Sequence, residues 1–285
     1  MNTTRIAVVT GASRGAGKGI ALALGSTGAT VYVTGRTTST GDTSLPGTVF
    51  ETADEITRRG GTGVPMVVDH SDDAAVEGLF NQIGSDHGRL DILVNNAITL
   101  PEALTKNGPF WTKPLELTDL FGVGMRSNYV AAFYAAPLLV ASDSGLIVNT
   151  SSFGGTCYMH GPAYGAGKAA VDKMAHDMAI DFEPFNVAVV SLWMGLLKTE
   201  RTLAAFAANP AMYEGMAAAA ESVEFPGRII AALAADPRLM ERTGQILIGA
   251  EIATELGVVD IDGNQPPSHR QFLGSPTLFS QSVVQ

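Results

Sequence analysis

The sequence predicts an α/β fold in a single domain, a Rossmann-type doubly wound parallel β-sheet flanked by helices. Three observations predict it. Short runs rich in β-branched residues alternate with helical patterns along most of the 285 residues. The first run leads at once into a glycine-rich turn and a helix. Polar residues follow several of the runs, and in a doubly wound sheet those positions meet at the edge where ligands bind.

Composition limits the function. The chain is 46% hydrophobic and 16% charged, which fits a globular protein with a sizeable core. Its net charge of −10 argues against nucleic acid and anionic membranes as partners. The single cysteine, Cys157, excludes an internal disulfide, and we interpret it as a packed side chain. Because no apolar run reaches about 18 residues and the N-terminus lacks a signal-peptide pattern, we expect a cytoplasmic protein with no membrane partner.

The first strand, predicted over residues 6–10, is followed by a glycine-rich loop and a helix predicted over 18–24. This is the context of a dinucleotide-binding loop. Gly11 permits the tight turn, Gly15 lets the backbone approach a pyrophosphate, and Gly17 lets the helix pack closely on the strand. The phosphates would lie at the helix N-terminus, which favours anions. The alternative is a glycine-rich turn that binds no ligand.

Residues near the second strand, predicted over 29–34, favour NADP(H) over NAD(H). An NAD-binding chain carries an acidic residue there for the ribose 2′-hydroxyl, and this sequence has none. Arg36 follows the strand instead, and Ser13 and Arg14 lie in the glycine loop. Two guanidinium groups beside the adenosine ribose suit a 2′-phosphate, which arginine binds through paired hydrogen bonds. The alternative is that both arginines are solvated on the surface.

Asp69 and His70 end the third strand, which is predicted over 64–70 after a helix over 50–59. We place both residues in the cofactor pocket. Asp69 either contacts the adenine or caps the following turn, where Ser71-Asp72-Asp73 predicts a helix N-cap. His70 has no partner visible in the sequence, so we interpret it neither as catalytic nor as a metal ligand. No cluster of His, Cys, Asp or Glu has metal-binding spacing, and we expect no metal.

The alternation continues to residue 260, and a tail rich in Pro, Ser and Gln occupies residues 261–285. Residues 196–220 are rich in Ala and Met and are predicted to form mobile helices over the substrate. The other predicted strands cover residues 90–94, 145–150, 187–192 and 245–248, and the other predicted helices cover 117–141, 164–182 and 226–233.

Tyr164 and Lys168 are four residues apart and therefore share one face of a helix. An ammonium beside the phenol favours the phenolate and lowers its pKa from about 10 towards the range of an acid–base catalyst. Such a pair suits proton exchange with a carbonyl/alcohol couple. The pattern is weak by itself, and an exposed tyrosine beside a solvated lysine is the alternative.

Five motifs in this order resemble the short-chain dehydrogenase/reductase family, and together they are specific. They are the loop of residues 10–17, Asn95-Asn96-Ala97, Ser151-Ser152, Tyr164 with Lys168, and the turn of residues 195–199 after the sixth strand. The resemblance covers roughly residues 5–248. It implies a Rossmann fold and an oxidoreductase that interconverts a carbonyl and an alcohol.

The resemblance also implies roles for individual residues. Tyr164 would be the proton donor and acceptor, and Lys168 would lower its pKa and hold the nicotinamide ribose. A serine would hydrogen-bond the substrate oxygen: its place after the strand favours Ser152, whereas the commonest spacing from Tyr164 gives Ser151. The resemblance further implies cofactor contacts for Asn95, Ala97, Leu197 and Thr199.

Three positions depart from the family pattern. Ile98 replaces the glycine that follows Asn-Asn-Ala, and Met194 replaces the proline before Gly195. Gly124 stands where many members carry a catalytic asparagine, and Asn128 lies one helical turn too far along to be its equivalent. In the family that asparagine helps hold a water that relays protons to the lysine, so water, backbone or another side chain must do so here.

We therefore expect an NADP(H)-dependent oxidoreductase. The alternatives are a non-catalytic NADP(H)-binding sensor or scaffold, and a different chemistry on the same fold, such as epimerisation. Aromatic and Met residues in segments 99–114, 153–160 and 201–216 predict a fairly apolar carbonyl or alcohol substrate. The resemblance suggests a homodimer or homotetramer built on the helices that begin near residues 117 and 164, although apolar faces there could equally belong to the core.

Overall fold

One parallel sheet organises the protein. The computed structural model describes residues 4–39, 41 and 45–284. The first three residues, on which the absence of a signal-peptide pattern partly rests, lie outside the described residues. Seven strands of the described part follow the order β3-β2-β1-β4-β5-β6-β7, which confirms the predicted fold class. The strands are β1 (Ile6–Val9), β2 (Thr30–Gly35), β3 (Thr62–Val67), β4 (Ile92–Asn95), β5 (Gly145–Ser151), β6 (Val187–Trp193) and β7 (Ile246–Ile248).

Helices cover both faces of the sheet. None of those in the described part combines the length and the apolar character needed to cross a membrane. The helices are α1 (Gly15–Gly25), α2 (Val49–Arg58), α3 (Asp73–His87), α4 (Ser127–Val140), α5 (Pro162–Phe182), α6 (Glu200–Ala208), α7 (Pro210–Ala219), α8 (Phe225–Ala235), α9 (Gly249–Glu255) and α10 (Arg270–Leu273).

The core has two halves, one on each face of the sheet. Side chains of β1 alternate between them: Val9 packs with Ile20 of α1 and Ile229 of α8, whereas Val8 packs with Ile83 of α3. Burial on both faces explains why β1 is apolar throughout. β1 pairs with β2 on one side and with β4 on the other. The connections that follow β1 and β4 therefore run to opposite sides of the sheet, and a crevice lies between them at the carboxyl ends of these strands.

The helix predicted over residues 117–141 is wrong in its first half. A 3₁₀ turn, one α-helical turn and a π-helical turn over Gly122–Arg126 precede α4. Val123 (φ −107°, ψ 105°) and Gly124 (φ 133°, ψ −18°) leave helical geometry. The loop after β4 fixes this distortion, because the Thr99 amide donates to the Val123 carbonyl oxygen at 2.9 Å.

Two departures from the family pattern meet at this distortion. A Cβ on Gly124 would lie 2.9 Å from Cγ1 of Ile98. Its φ of 133° also lies in a region that side chains disfavour. Ile98 therefore fills the space beside Gly124, and the two substitutions form one packing arrangement.

Other element boundaries shift by a few residues. β3 ends at Val67, because the Asp69 carboxylate accepts hydrogen bonds from the Ser71 amide and hydroxyl and turns the chain. The predicted N-cap is confirmed, since Asp72 accepts hydrogen bonds from two amides of the first turn of α3. α5 begins at Pro162 rather than at Tyr164, and proline suits the first turn of a helix.

The tail packs back onto the domain. Arg270 donates to both carboxylate oxygens of Glu251, at 2.8 and 2.5 Å. Leu273 of α10 packs against a cluster that includes Trp193, and Phe279 contacts the surface of α5. The tail, irregular apart from α10 in its described residues, thus closes over the ends of α5 and β6.

Candidate active site

A cleft of about 530 Å³ opens at the carboxyl ends of the central strands. The glycine loop forms one wall. A Cβ on Gly11 (φ 65°) would lie 2.8 Å from Cα of Ala97, and a Cβ on Gly17 would lie 2.3 Å from the Gly11 carbonyl oxygen. Because these positions have no room for side chains, the loop backbone forms the surface of the cleft, and it fits a dinucleotide phosphate.

Most of the predicted cofactor residues line this cleft: Gly11, Ser13, Arg14, Gly15, Gly17, Arg36, Asp69, His70, Ala97, Tyr164, Lys168 and Thr199. The structure places Asn95 and Leu197 outside the lining. Asn95 is buried and donates to the side-chain oxygen of Asn149 at 2.9 Å, and Leu197 is buried beneath the turn after β6. Their neighbours Asn96 and Met194 line the cleft instead.

Asn96 and Thr10 hold the loop in place, a role that no motif in the sequence predicted for either residue. The Thr10 hydroxyl accepts from the amides of Asn96 and Ala97 at 2.8 and 2.9 Å. The Asn96 side chain donates to the carbonyl oxygens of Thr10 and Gly11 at 2.8 and 3.2 Å. The Asn-Asn-Ala motif thus supports the glycine loop.

The N-terminus of α1 faces the cleft. Its amides and helix dipole favour an anion there. The amide of Gly15, the first residue of α1, donates to the Glu200 carboxylate at 3.0 Å. Glu200 also lines the cleft, and nothing in the sequence pointed to this contact.

Two arginines lie at the outer end of the cleft. Arg14 donates to the hydroxyl of Thr37 at 3.0 Å and to the carbonyl oxygens of Pro46 and Gly47 at 3.0 and 2.9 Å. The Arg36 guanidinium lies 3.7 Å from the Asp69 carboxylate, and its side chain is 71% exposed. Both arginines are among the residues that line the cleft.

Asp69 and His70 differ in their surroundings. The Ser71 amide, which donates to the Asp69 carboxylate, holds the pKa of that carboxyl below its usual value. His70 is buried, with Nε2 2.7 Å from the Thr34 hydroxyl, and burial lowers its pKa to about 4. His70 is therefore neutral. Within the described residues, no group of three His, Cys, Asp or Glu side chains converges to hold a metal ion.

Ser152 and Tyr164 meet at the inner end of the cleft. Their hydroxyl oxygens are 3.0 Å apart, and the Ser152 hydroxyl also accepts from the Gly154 amide at 3.2 Å. Burial raises the pKa of Tyr164. The expected lowering by Lys168 is wrong for this arrangement, because the lysine ammonium lies 5.8 Å from the centre of the tyrosine ring and donates to the Thr150 carbonyl oxygen at 3.0 Å.

Lys168, which lines the cleft, and Ser151 are both buried. Burial lowers the pKa of Lys168 to about 8, and the nearby Asp172 carboxylate opposes that shift. Asp172 accepts hydrogen bonds from the Ser191 hydroxyl at 2.5 Å and the Trp193 indole at 3.0 Å. Ser151 is fully buried and donates to the Lys168 carbonyl oxygen at 3.5 Å, so Ser152 alone of the pair faces Tyr164.

A buried carboxyl supports the turn after β6. Glu221 is 2% exposed, and its carboxyl accepts from the Gly195 amide at 3.2 Å. A Cβ on Gly195 would lie 2.3 Å from that carboxyl. Burial raises the pKa of Glu221 to about 7, despite the hydrogen bond from Gly195. Nothing in the sequence points to Glu221, because its partner lies on another element.

The fold and this site together define a class of protein. A doubly wound sheet with a glycine loop at its switch point, and with Ser, Tyr and Lys side chains beside it, is an arrangement of nicotinamide-dependent oxidoreductases. The chain belongs to the short-chain dehydrogenase family, whose model matches residues 5–209.

Individual relatives agree with this assignment. The chain is 40% identical to dehydrogenase/reductase SDR family member 1 of Mus musculus over 270 residues, 91% of this chain and 84% of the relative. A short chain dehydrogenase from Mycobacterium thermoresistibile shares the fold, with 24% identity, a TM-score of 0.77 and coverage of 93% and 92% of the two chains. A 3-oxoacyl-[acyl-carrier protein] reductase from Brucella melitensis, solved in complex with NAD, shares it with 22% identity, a TM-score of 0.73 and coverage of 87% and 96%. The predicted family is confirmed.

Proposed function

We propose that the protein is an NADP(H)-dependent oxidoreductase that interconverts a carbonyl and an alcohol, with Tyr164 as the proton donor and acceptor. The contact between the Ser152 and Tyr164 hydroxyls at 3.0 Å, beside a cleft that fits a dinucleotide, carries the proposal. Both hydroxyls can donate to one substrate oxygen and so stabilise the negative charge that develops on it. A bound nicotinamide supplies or accepts the hydride.

The titration of Tyr164 and Lys168 suits both directions of the reaction. Because burial raises the pKa of Tyr164, the phenol is protonated at neutral pH and can donate to a developing alkoxide. For alcohol oxidation the phenolate needs a cation nearby. Lys168, with a pKa of about 8, is charged at neutral pH and loses that charge in more alkaline solution.

The preference for NADP(H) rests on the two arginines. The residue directly after β2 is Arg36 instead of a carboxylate, and Arg14 borders the same end of the cleft. Paired guanidinium groups favour a 2′-phosphate over a 2′-hydroxyl. The phosphates of the dinucleotide would be held by the loop from Gly11 to Gly17, and the nicotinamide half by Lys168 and Thr199.

An apolar substrate is supported by a second cavity of about 330 Å³ beside Tyr164. Phe110, Trp111 and Tyr158 line it and are 58%, 74% and 80% exposed. His160 also lines it, and its ring lies 5.2 Å from the ring of Tyr164. Exposed aromatic side chains around one groove favour the apolar arm of a carbonyl compound.

A homodimer or homotetramer is supported by apolar residues on α4 and α5. Tyr129 and Phe133 of α4 are 55% and 63% exposed, and Ile180 of α5 is 37% exposed. Burying such residues against a second copy is favourable. Light scattering should show an oligomer that Phe133→Glu dissociates and Phe272→Glu, in the tail, does not. A monomeric wild type would overturn this part of the proposal.

A non-catalytic NADP(H)-binding sensor or scaffold is the second candidate. The observation that favours it is Gly124, which offers no side chain where many family members carry a catalytic asparagine, with Ile98 filling the adjacent space. The intact Ser152, Tyr164 and Lys168 weigh against it, because binding a cofactor does not need all three.

The first experiment compares NADPH and NADH binding at one fixed salt concentration. Wild type should prefer NADPH, and Arg36→Ala should abolish the preference while Arg58→Ala, an exposed arginine of α2, keeps it. Equal binding of both cofactors would refute the NADP(H) assignment, and no binding of either would refute the oxidoreductase.

The second experiment measures NADPH oxidation with a panel of ketones and aldehydes. Tyr164→Phe should lower kcat by at least about 100-fold, and Tyr134→Phe, which removes a tyrosine hydroxyl of α4 outside the lining of both cavities, should not. NADPH binding without turnover on any carbonyl compound would favour the sensor.

A further inference from the structure

We propose that Glu200 competes with the cofactor phosphates for the glycine loop, and thereby sets the affinity and exchange rate of the cofactor. The proposal rests on the proposed function, since it takes the cleft to be the dinucleotide site. Glu200 would act by a direct contact that the cofactor must displace. Throughout, the lid denotes residues 196–220, which include α6 and α7.

The geometry at Gly15 is that of a bound anion. One carboxylate oxygen of Glu200 accepts from the Gly15 amide at 3.0 Å. That amide belongs to the first residue of α1, where the helix dipole favours negative charge. Charge-assisted hydrogen bonds to a backbone amide are the kind that a phosphate oxygen makes at such a loop. The carboxylate therefore holds a donor that a dinucleotide phosphate would use.

The contact joins two separate parts of the chain. Glu200 is the first residue of α6, and Thr199 caps that helix through the Thr202 amide at 3.2 Å. A Cβ built on Gly15 would lie 3.6 Å from the Thr199 side chain, so the start of the lid rests against the glycine loop. The hydrogen bond from Gly15 thus fastens the lid to the loop.

The base of the lid is held by backbone hydrogen bonds of Leu196 and Lys198 with Glu221, at 2.8 and 2.9 Å, but its two helices have few contacts of their own. Neither α6 nor α7, both of which the structure describes in full, contains a buried residue. Elements with little buried apolar surface open at low free energy. A single charge-assisted hydrogen bond is therefore a large share of what keeps α6 in place.

Competition follows from charge as well as from the shared donor. A carboxylate and a phosphate cannot both accept the Gly15 proton in line, and two anions at that distance repel each other. Binding of the dinucleotide must therefore move Glu200 away and release the start of α6. When the dinucleotide leaves, Glu200 returns to Gly15, which assists its departure.

The test is a titration of NADPH against three variants. Glu200→Gln removes the charge, Glu200→Asp keeps the charge but withdraws it by one methylene, and Glu214→Gln removes an exposed carboxylate of α7 as the control. Glu200→Gln should bind NADPH about tenfold more tightly, because a net hydrogen bond is worth about 1–1.5 kcal/mol. Glu200→Asp should also bind more tightly than wild type, and Glu214→Gln should stay within about twofold. Unchanged or weaker binding by Glu200→Gln would overturn the proposal.

Hydrogen exchange of the lid gives a readout that does not depend on NADPH. Without NADPH, amides of α6 should exchange faster in Glu200→Gln than in wild type or Glu214→Gln. With saturating NADPH the difference should disappear. Equal exchange without NADPH would show that Glu200 does not fasten the lid. If no variant binds NADPH, the proposed function fails, and the exchange rates still decide whether the contact holds the lid.

Discussion

Replacing Gly124 by alanine should destabilise the protein by about 3 kcal/mol, from two separate costs. Its φ of 133° is a conformation that side chains adopt only with strain of about 1–3 kcal/mol. The new Cβ would also lie 2.9 Å from Cγ1 of Ile98, and such overpacking costs about 1–3 kcal/mol. The sum is a large fraction of the stability of a typical domain.

Equilibrium unfolding in urea measures the total, and a double-mutant cycle with Ile98→Ala separates the two costs. In the Ile98→Ala background the overlap disappears, so Gly124→Ala should cost only the backbone strain. Gly122→Ala is the matched control. Gly122 belongs to the same π-helical turn but has φ −68° and has no described heavy atom within 4 Å of a built Cβ, so this change should be nearly neutral.

The reasoning would be refuted if Gly124→Ala unfolded at the wild-type urea concentration, or if its cost were the same with Ile98 and with alanine at that position. The same geometry predicts that Gly124→Asn does not supply the family's asparagine. The new side chain would start from strained backbone and meet Ile98, so activity should fall with stability instead of rising.

Three further predictions concern other residues. Glu221→Gln should remove a pH dependence of the unfolding free energy. In wild type the pKa of Glu221 is raised from 4.5 to about 7. The stability that its protonated carboxyl contributes is therefore complete below pH 4.5 and is lost as the pH rises through 7. In urea titrations, the unfolding free energy of the variant should therefore rise relative to that of wild type by up to about 3 kcal/mol between pH 5 and pH 8. A difference between the two proteins that stays constant over this range would contradict the prediction. Asp172→Asn removes the carboxylate that raises the pKa of Lys168, so the alkaline limb of the pH–rate profile should move to lower pH; an unmoved limb would show that the pair is not coupled. Trp111→Ala should lower kcat/KM about tenfold for a long-chain methyl ketone and leave butanone unchanged, with Phe272→Ala as the exposed aromatic control, whereas equal losses on both ketones would exclude the groove as the apolar subsite.

The features that the sequence predicts well are those fixed by local pattern. The strands and the glycine loop depend on residues close together in the chain, and the structure places them within a few residues of the predicted bounds. The loop glycines could be recognised because a strand, a glycine-rich turn and a helix follow one another directly in the chain.

The features that the sequence does not predict depend on contacts between residues far apart in the chain. The break at Gly124 is set by the loop that carries Ile98, so the periodicity of residues 117–141 could not reveal it. The carboxylates of Asp172, Glu200 and Glu221 are each defined by a donor on another element. The pKa of Tyr164 rises because burial outweighs the hydrogen bond with Ser152, and the sequence cannot show how deeply the phenol is buried.

The two tryptophans lie in different environments, so their intrinsic fluorescence can report on different parts of the candidate site. Trp193 is fully buried, with its indole donating to the Asp172 carboxylate one helical turn from Lys168, whereas Trp111 is 74% exposed at the mouth of the groove. Their fluorescence should therefore separate by wavelength, with blue-shifted emission from the interior and red-shifted emission from the solvated indole. In Trp111→Phe the remaining emission would come from Trp193 alone, which contacts α5 through Asp172. The emission of Trp193 could then be used to follow unfolding, and the ionisation of groups around Lys168, without an added label.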